Sequence, residues 1–288
     1  MDRYTISNGL ISATIKQAGA ELCSLKAAQD HELIWQAGAA WPRHAPTLFP
    51  IVGRLKNDVL HVRGKTYPMK QHGFARDLDF AWTQTLPHAC TLSLHDGAET
   101  RAQYPFAFAL DVTFTVDDRH LSIVYEVTNR GDEVMPASIG GHPAFNWPLV
   151  PGADKASHTL VFSAPETAPI RRVTDGLVRP QVYPTPVEGR TLALSESLFV
   201  EDAVIFERLA SRSLRYASPD HAGLEFSWRG FCDLGVWSKA GGAPFVCLEP
   251  WYGFASPADF DGEFADKPGL MHLAPGEKRS FSHRISVG

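Results

Sequence analysis

Residues 109–127 read ALDVTFTVDDRHLSIVYEV, and this stretch decides the fold class. In its second half Leu121, Ile123, Tyr125 and Val127 alternate with Ser122, Val124 and Glu126, the period-two pattern of a half-buried strand. Residues 109–116 follow the same rule, and the Asp117–Asp118 pair between them predicts a hairpin-like turn. Working outward, similar short segments predict strands at 10–16, 20–26, 46–52, 158–163, 203–207, 213–217, 223–228, 233–238, 244–250 and 279–287. Clusters of turn residues such as Thr128–Gly131 and Ala240–Pro244 separate them. Helical signal is confined to a turn or two at 196–200 and 257–262. No long stretch has the 3.6-residue period, so alternating β/α folds lose support. Many short strands with frequent turns favour an all-β sandwich or barrel. The Pro-rich stretch 165–186 reads as a long surface loop inside one domain spanning 1–288.

The chain has 288 residues, with 27 Lys+Arg against 32 Asp+Glu and hence a net charge of −5. Hydrophobic residues make up 44%, which supplies a core and excludes a disordered chain. Mild acidity, with no basic run longer than two residues, argues against nucleic acid or an anionic membrane surface as partner. The N-terminal MDRYTISNGL lacks the apolar stretch of a secretory signal, and no run has the 18 or so apolar residues of a membrane span. Cys23, Cys90, Cys232 and Cys247 form no CxxC pair, so they read as reduced thiols. A cytoplasmic location is the expectation.

Five stretches depart from strand-and-turn grammar. Leu48–Arg54 (LFPIVGR) sets an arginine after an apolar strand and a glycine. Gln71–Arg76 (QHGFAR) spaces His72 and Arg76 four apart around Gly73. Ile139–Asn146 (IGGHPAFN) surrounds His142 with two glycines and a proline, which are costly in a regular strand and typical of a shaped loop. Val200–Phe206 (VEDAVIF) puts Asp202 at the mouth of an apolar strand. Phe245–Trp251 (FVCLEPW) carries a lone carboxylate, Glu249, on the same face as Cys247 and Trp251. Burial of that carboxylate raises its pKa toward the range of a useful general base. Taken singly, each histidine also reads as a hydrogen-bonded structural residue, each arginine as a solvated turn residue, and Asp202 as a turn closer. No GxSxG, P-loop or GxGxxG occurs, and no HxxxH or HxH spacing suggests a metal. Histidine acids with a glutamate base fit proton shuttling on a neutral polyol, and neighbouring aromatics can stack on a sugar ring.

Taken together, FPIVGRL, QHGFAR, GGHPAFN and VCLEPW resemble the aldose 1-epimerase (galactose mutarotase-like) family, in particular its LacX-like branch. The resemblance runs from about residue 4 to the C-terminus, and it rests on the order and spacing of the pieces. It implies a large antiparallel β-sandwich, the galactose mutarotase-like supersandwich. It also implies a cofactor-independent isomerase that interconverts the α and β anomers of an aldose without metal. By that similarity Glu249 is the general base, His142 the general acid, and His72 the second active-site histidine. Arg54 and Asp202 match positions that hydrogen-bond sugar hydroxyls. Arg76 matches an arginine of branches nearer the hexose-6-phosphate mutarotases. The chain departs from the galactose mutarotases proper, which carry His-Gly-Gly and His-x-Tyr-Phe-Asn in place of His72-Gly73-Phe74 and His142-Pro143-Ala144-Phe145-Asn146. The alternatives are a hexose-6-phosphate mutarotase or a catalytically silent carbohydrate-binding protein. In each case the partner is a small sugar.

Overall fold

The computed structural model describes residues 1–27, 30–219 and 221–288. The hairpin of 109–127 forms as strands Phe108–Asp117 and His120–Asn129, with Val112 opposite Tyr125 and Val116 opposite Leu121. Leu121, Ile123, Tyr125 and Val127 are all buried. Each such side chain contributes about 1.5–3 kcal/mol on burial, and a one-residue slip would turn the whole face to water. The turn lies one residue later than the sequence reading: Asp117 pairs with His120, leaving Asp118 and Arg119 as the connection. Asp118 takes φ +50°, a left-handed conformation that a short polar side chain tolerates.

Antiparallel pairing extends from this hairpin into a nine-stranded sheet. Its spatial order is Thr191–Ala193, Thr159–Phe162, Ser213–Ser218, His221–Arg229, Lys278–Val287, His120–Asn129, Phe108–Asp117, Ala89–His95 and Ala81–Leu86. A second antiparallel sheet runs Val204–Phe206, Asp233–Trp237, Phe245–Tyr252, Ile139–Gly141 and Thr47–Leu48, with Ala144–Asn146 also paired to Phe245–Tyr252. A three-stranded sheet of Arg3–Ser7, Ser12–Lys16 and Glu21–Lys26 completes the N-terminal part. Phe114, Ile123 and Phe281 of the large sheet share one buried cluster with Phe145, Val246 and Leu248 of the second. Phe145 meets Phe226 edge-on across the gap, with ring centroids 6.0 Å apart. The architecture is the large antiparallel β-sandwich that the family resemblance implied, one of the two all-β arrangements the strand pattern favoured.

Several elements differ from the sequence reading. The stretch 257–262 is not helical, because Pro257 bridges to Val178 and the Ala258 N–H donates to the Val178 carbonyl. A short 3₁₀ turn at Glu196–Phe199 does form, and an α-helical turn at Ala98–Arg101 is among the short helical turns not anticipated. The strand Ala81–Leu86 escapes the alternation rule because it is an edge strand with water on both faces. The 165–186 stretch is more than a surface loop. It contains a small hairpin, Val173–Thr174 with Leu177–Val178, and buries Ile170, Val173 and Val178.

Two strands of the second sheet set up the concave end of the sandwich. The Ile139–Asn146 stretch, read as a loop, is two short strands interrupted at His142-Pro143. Its glycines are required by close approach. A Cβ on Gly140 would lie 2.6 Å from the Trp251 ring, and one on Gly141 would lie 2.9 Å from the His283 ring. The neighbouring strand runs through Pro250 to Tyr252, so Glu249 stays inside, 2% exposed.

Candidate active site

At this end lies a cavity of about 290 Å³, at the lower edge of the range for small-molecule sites. Its walls include His72, Arg76, His142, Asp202 and Glu249, together with Trp41, Trp237 and Trp251. Val173 and Gly176 place the 165–186 hairpin in one wall.

Glu249 comes from the middle of Phe245–Tyr252, opposite Gly235. A Cβ on Gly235 would sit 2.4 Å from the Trp251 ring, so glycine there makes room for that ring in the cavity wall. His142 leaves its strand at the Pro143 break and places Nε2 3.1 Å from Glu249 Oε2. Its ring is gripped on three sides. Trp41 stacks on it with centroids 4.9 Å apart, while His72 and Trp237 meet it edge-on at 5.5 and 5.8 Å.

His72 owes its placement to strained backbone. It adopts φ +64° and is followed by Gly73 at φ +71°, where a Cβ would come 2.2 Å from the Phe49 carbonyl oxygen. Left-handed conformation in a non-glycine residue is uncommon, and here it sits in the cavity wall. The His72 N–H donates to the Gly53 carbonyl at 2.7 Å, and the Gly53 N–H donates back to His72 Nδ1 at 3.1 Å. Because Nδ1 accepts, the neutral ring carries its proton on Nε2.

Burial governs the electrostatics. It pushes the Glu249 carboxyl well above the usual carboxylate range, and the nearby Asp202 carboxylate adds to the effect. It pulls His142 down to about 3, with the Arg76 and Arg43 cations adding to it. His72 is likewise lowered, by burial first and then by His142 and Arg76. Both partners of the central pair therefore favour the uncharged form, and one proton is held between His142 Nε2 and Glu249 Oε2. Cys247 Sγ also belongs to this cluster: its atom and the donor atoms of His142 and Glu249 lie within 4.8 Å of one another.

The chain matches the aldose 1-epimerase family over residues 2–286. The chain belongs to that family. It is 32% identical to the chromosomal LacX protein of Lactococcus lactis subsp. lactis over 98% of both chains. Among solved structures it resembles a galactose mutarotase related enzyme from Lactobacillus acidophilus, at 35% identity and a TM-score of 0.92, over 99% of this chain and 97% of that one. A galactose mutarotase-like protein from Lactobacillus casei matches at 34% identity, with a TM-score of 0.92 and 99% of both chains covered. Membership of this aldose 1-epimerase family supports isomerase chemistry on a sugar. No helix among the described residues is long and apolar enough to cross a membrane.

Of the six residues singled out from the sequence, five line the cavity and one does not. Arg54, expected to hydrogen-bond a sugar hydroxyl, is the exception: it lies outside the lining, beside Gly176. Its guanidinium is held by Asp58, with Nε–Oδ1 at 2.6 Å and Nη2–Oδ2 at 2.5 Å, and it also donates to the Asp175 carbonyl. That two-pronged grip holds the side chain, which packs beside Gly176. Asp202 stands at φ +65° at the cavity mouth, its Oδ1 accepting from the Ala203 N–H. Sequence reasoning missed Trp41, Trp237 and Gln71 as wall residues. Trp41 lies in an irregular Gly- and Pro-flanked segment with no periodic signal. The Trp237 strand was legible, but the face it turns to the cavity was not.

Proposed function

We propose that the protein is a mutarotase that opens and recloses the ring of an aldose through the Glu249–His142 pair. The observation that carries this reading is the 3.1 Å contact between the two side chains in a cavity of sugar size. The anomeric hydroxyl and the ring oxygen of a pyranose hang on the same carbon. A base and an acid that serve them must therefore be neighbours, and these two are.

The reactive form of the bound ring complex is the tautomer in which Glu249 is ionised and His142 carries the shared proton. Glu249 takes the anomeric hydroxyl proton as His142 donates to the ring oxygen, and the C1–O5 bond breaks to give an open aldehyde. The pair then stands as neutral His142 and protonated Glu249, the arrangement that burial favours. Rotation about C1–C2 presents the other carbonyl face, and the reverse transfers close the opposite anomer. The pair holds one proton throughout, so no net exchange with solvent is required. His72, with Nε2–H directed by its Gly53 contact, donates a hydrogen bond to the sugar, and Asp202 accepts from a hydroxyl. A positioned acid or base contributes about 10²–10⁴-fold, enough for a reaction that already proceeds slowly in water. Polarimetry of freshly dissolved α-glucose and α-galactose tests the reading. Faster decay of rotation than the blank supports it, and no acceleration with any aldose or aldose phosphate removes it.

The depressed pKa of His142 fixes the acid side of the pH profile. A second proton enters the pair only when His142 charges beside protonated Glu249, far below the ordinary histidine range. After subtraction of the spontaneous rate, kcat/KM is expected to stay level from about pH 7 down to about pH 5. A fall centred near about 6.5, the value of a free histidine, would contradict the buried pair.

One observation favours a second reading, a mutarotase for a phosphorylated sugar. Arg76 faces the cavity from the turn Ala75–Asp77, and its Nε is buried without a hydrogen-bond partner. Burial lowers it to about 10, and the adjacent carboxylate of Asp77 is taken by Arg43 at 2.8 Å. An anionic substituent would satisfy this cation. On that reading Arg76→Met lowers kcat/KM for glucose 6-phosphate by about 10–100-fold while sparing glucose, as the loss of a charge-assisted contact implies. Equal effects on both sugars would leave only the neutral-aldose reading.

A further inference from the structure

We propose that His142, Cys247 and Glu249 form an inhibitory zinc site, in which the ion replaces the proton shared by the catalytic pair. The inference rests on the mutarotase reading for its consequence but on geometry for the site itself. Cys247 and Glu249 stand two residues apart on one strand and so share a face. Cys247 pairs with Ala144, and the interruption of the strand at His142-Pro143 leaves His142 beside that pair, with Nε2 3.1 Å from Glu249 Oε2. The three side chains are buried, and their donor atoms lie within 4.8 Å of one another.

Nitrogen, thiolate sulfur and carboxylate oxygen are the donors zinc takes, and three protein ligands leave the fourth tetrahedral position open. Zinc bonds of about 2.0–2.3 Å place tetrahedral donors about 3.3–3.7 Å apart. The His142–Glu249 separation of 3.1 Å is already close to that, and the widest span needs to contract by about 1 Å. Rotation at Cys247 and Glu249 would have to supply this, because the His142 ring is held by Trp41, His72 and Trp237. His142 and Glu249 both line the cavity, so a water or the anomeric hydroxyl would complete the shell from that side. Balance is simple: the ion enters, and the Cys247 thiol and Glu249 carboxyl each lose a proton to solvent. Zinc then occupies the atoms that the reaction needs, so metal binding and proton transfer exclude each other.

Cys247 touches no reacting atom in the proposed mechanism, which separates the two roles. The test uses cobalt(II) as a spectroscopic probe and zinc(II) as the inhibitor, on the full chain and on Cys247→Ser. The wild type is expected to develop a thiolate-to-cobalt charge-transfer band, absent in Cys247→Ser. Zinc is expected to inhibit mutarotation by the wild type, reversibly on chelation. Against its own zinc-free rate, Cys247→Ser should need at least about tenfold more zinc for the same fractional inhibition. Cys247→Ala serves as the second variant should serine destabilise the strand. A wild type without the band at millimolar cobalt, a band that survives in both variants, or equal zinc sensitivity overturns the site. The band does not depend on turnover, so a wild type that binds cobalt but accelerates no sugar would remove the mutarotase reading and leave the metal site standing.

Discussion

Glu249→Gln is expected to lower kcat by about 10²–10⁴-fold while KM changes little, because the amide fills the same space but accepts no proton. The residue is 2% exposed, and burial favours the neutral form of its carboxyl, so a neutral side chain suits the native pocket at this position. The variant should therefore fold with a melting temperature equal to or above that of the wild type. Replacing a buried group that resists ionisation by a permanently neutral one removes a desolvation cost and adds none. Polarimetric rates beside a thermal melt read both expectations at once. A variant with wild-type turnover would remove Glu249 from the mechanism. A variant that fails to fold would show that the carboxylate is structural.

His142→Gln is expected to produce a loss of similar size, about 10²–10⁴-fold in kcat. Glutamine places a nitrogen near the position of the imidazole Nε2 and donates a hydrogen bond, yet it cannot deliver a proton to the ring oxygen. This substitution also removes the ring stacked under Trp41, which costs about 0.5–1.5 kcal/mol of aromatic contact, so a modest drop in melting temperature accompanies it. Because acid and base hand over the same proton, the double variant should be scarcely slower than either single one. Losses that multiply in the double variant would mean that the two residues act in separate steps.

The hairpin of 109–127 could be read from the sequence because one of its faces is buried and the alternation is clean. Glu249 and His142 could be found for the opposite reason. A carboxylate in an apolar strand and a histidine fenced by Gly140, Gly141 and Pro143 are both costly unless something uses them. What stayed hidden depends on contacts between distant segments. Gly140 and Gly141 suggested a loop, whereas they are strand residues pressed against Trp251 and His283. Arg54 looked free for a ligand because nothing in the local pattern announces that Asp58, in an irregular turn, reaches back to hold it. Trp41 comes from an aperiodic segment, and only its tertiary placement over His142 reveals it as part of the site. The 165–186 stretch, rich in proline, hides a four-residue pairing that matters because it closes one cavity wall.

The most direct measurement of the central claim is magnetisation exchange between the anomeric protons of an aldose already at anomeric equilibrium, where no net chemistry can confuse the signal. With the wild-type protein, exchange cross-peaks between the α and β anomeric protons are predicted at mixing times too short for the spontaneous reaction. With Glu249→Gln at the same concentration, those cross-peaks are predicted to vanish. Cross-peaks of equal strength in both proteins, or their absence from the wild type with every aldose and aldose phosphate tried, would contradict the Glu249–His142 mechanism.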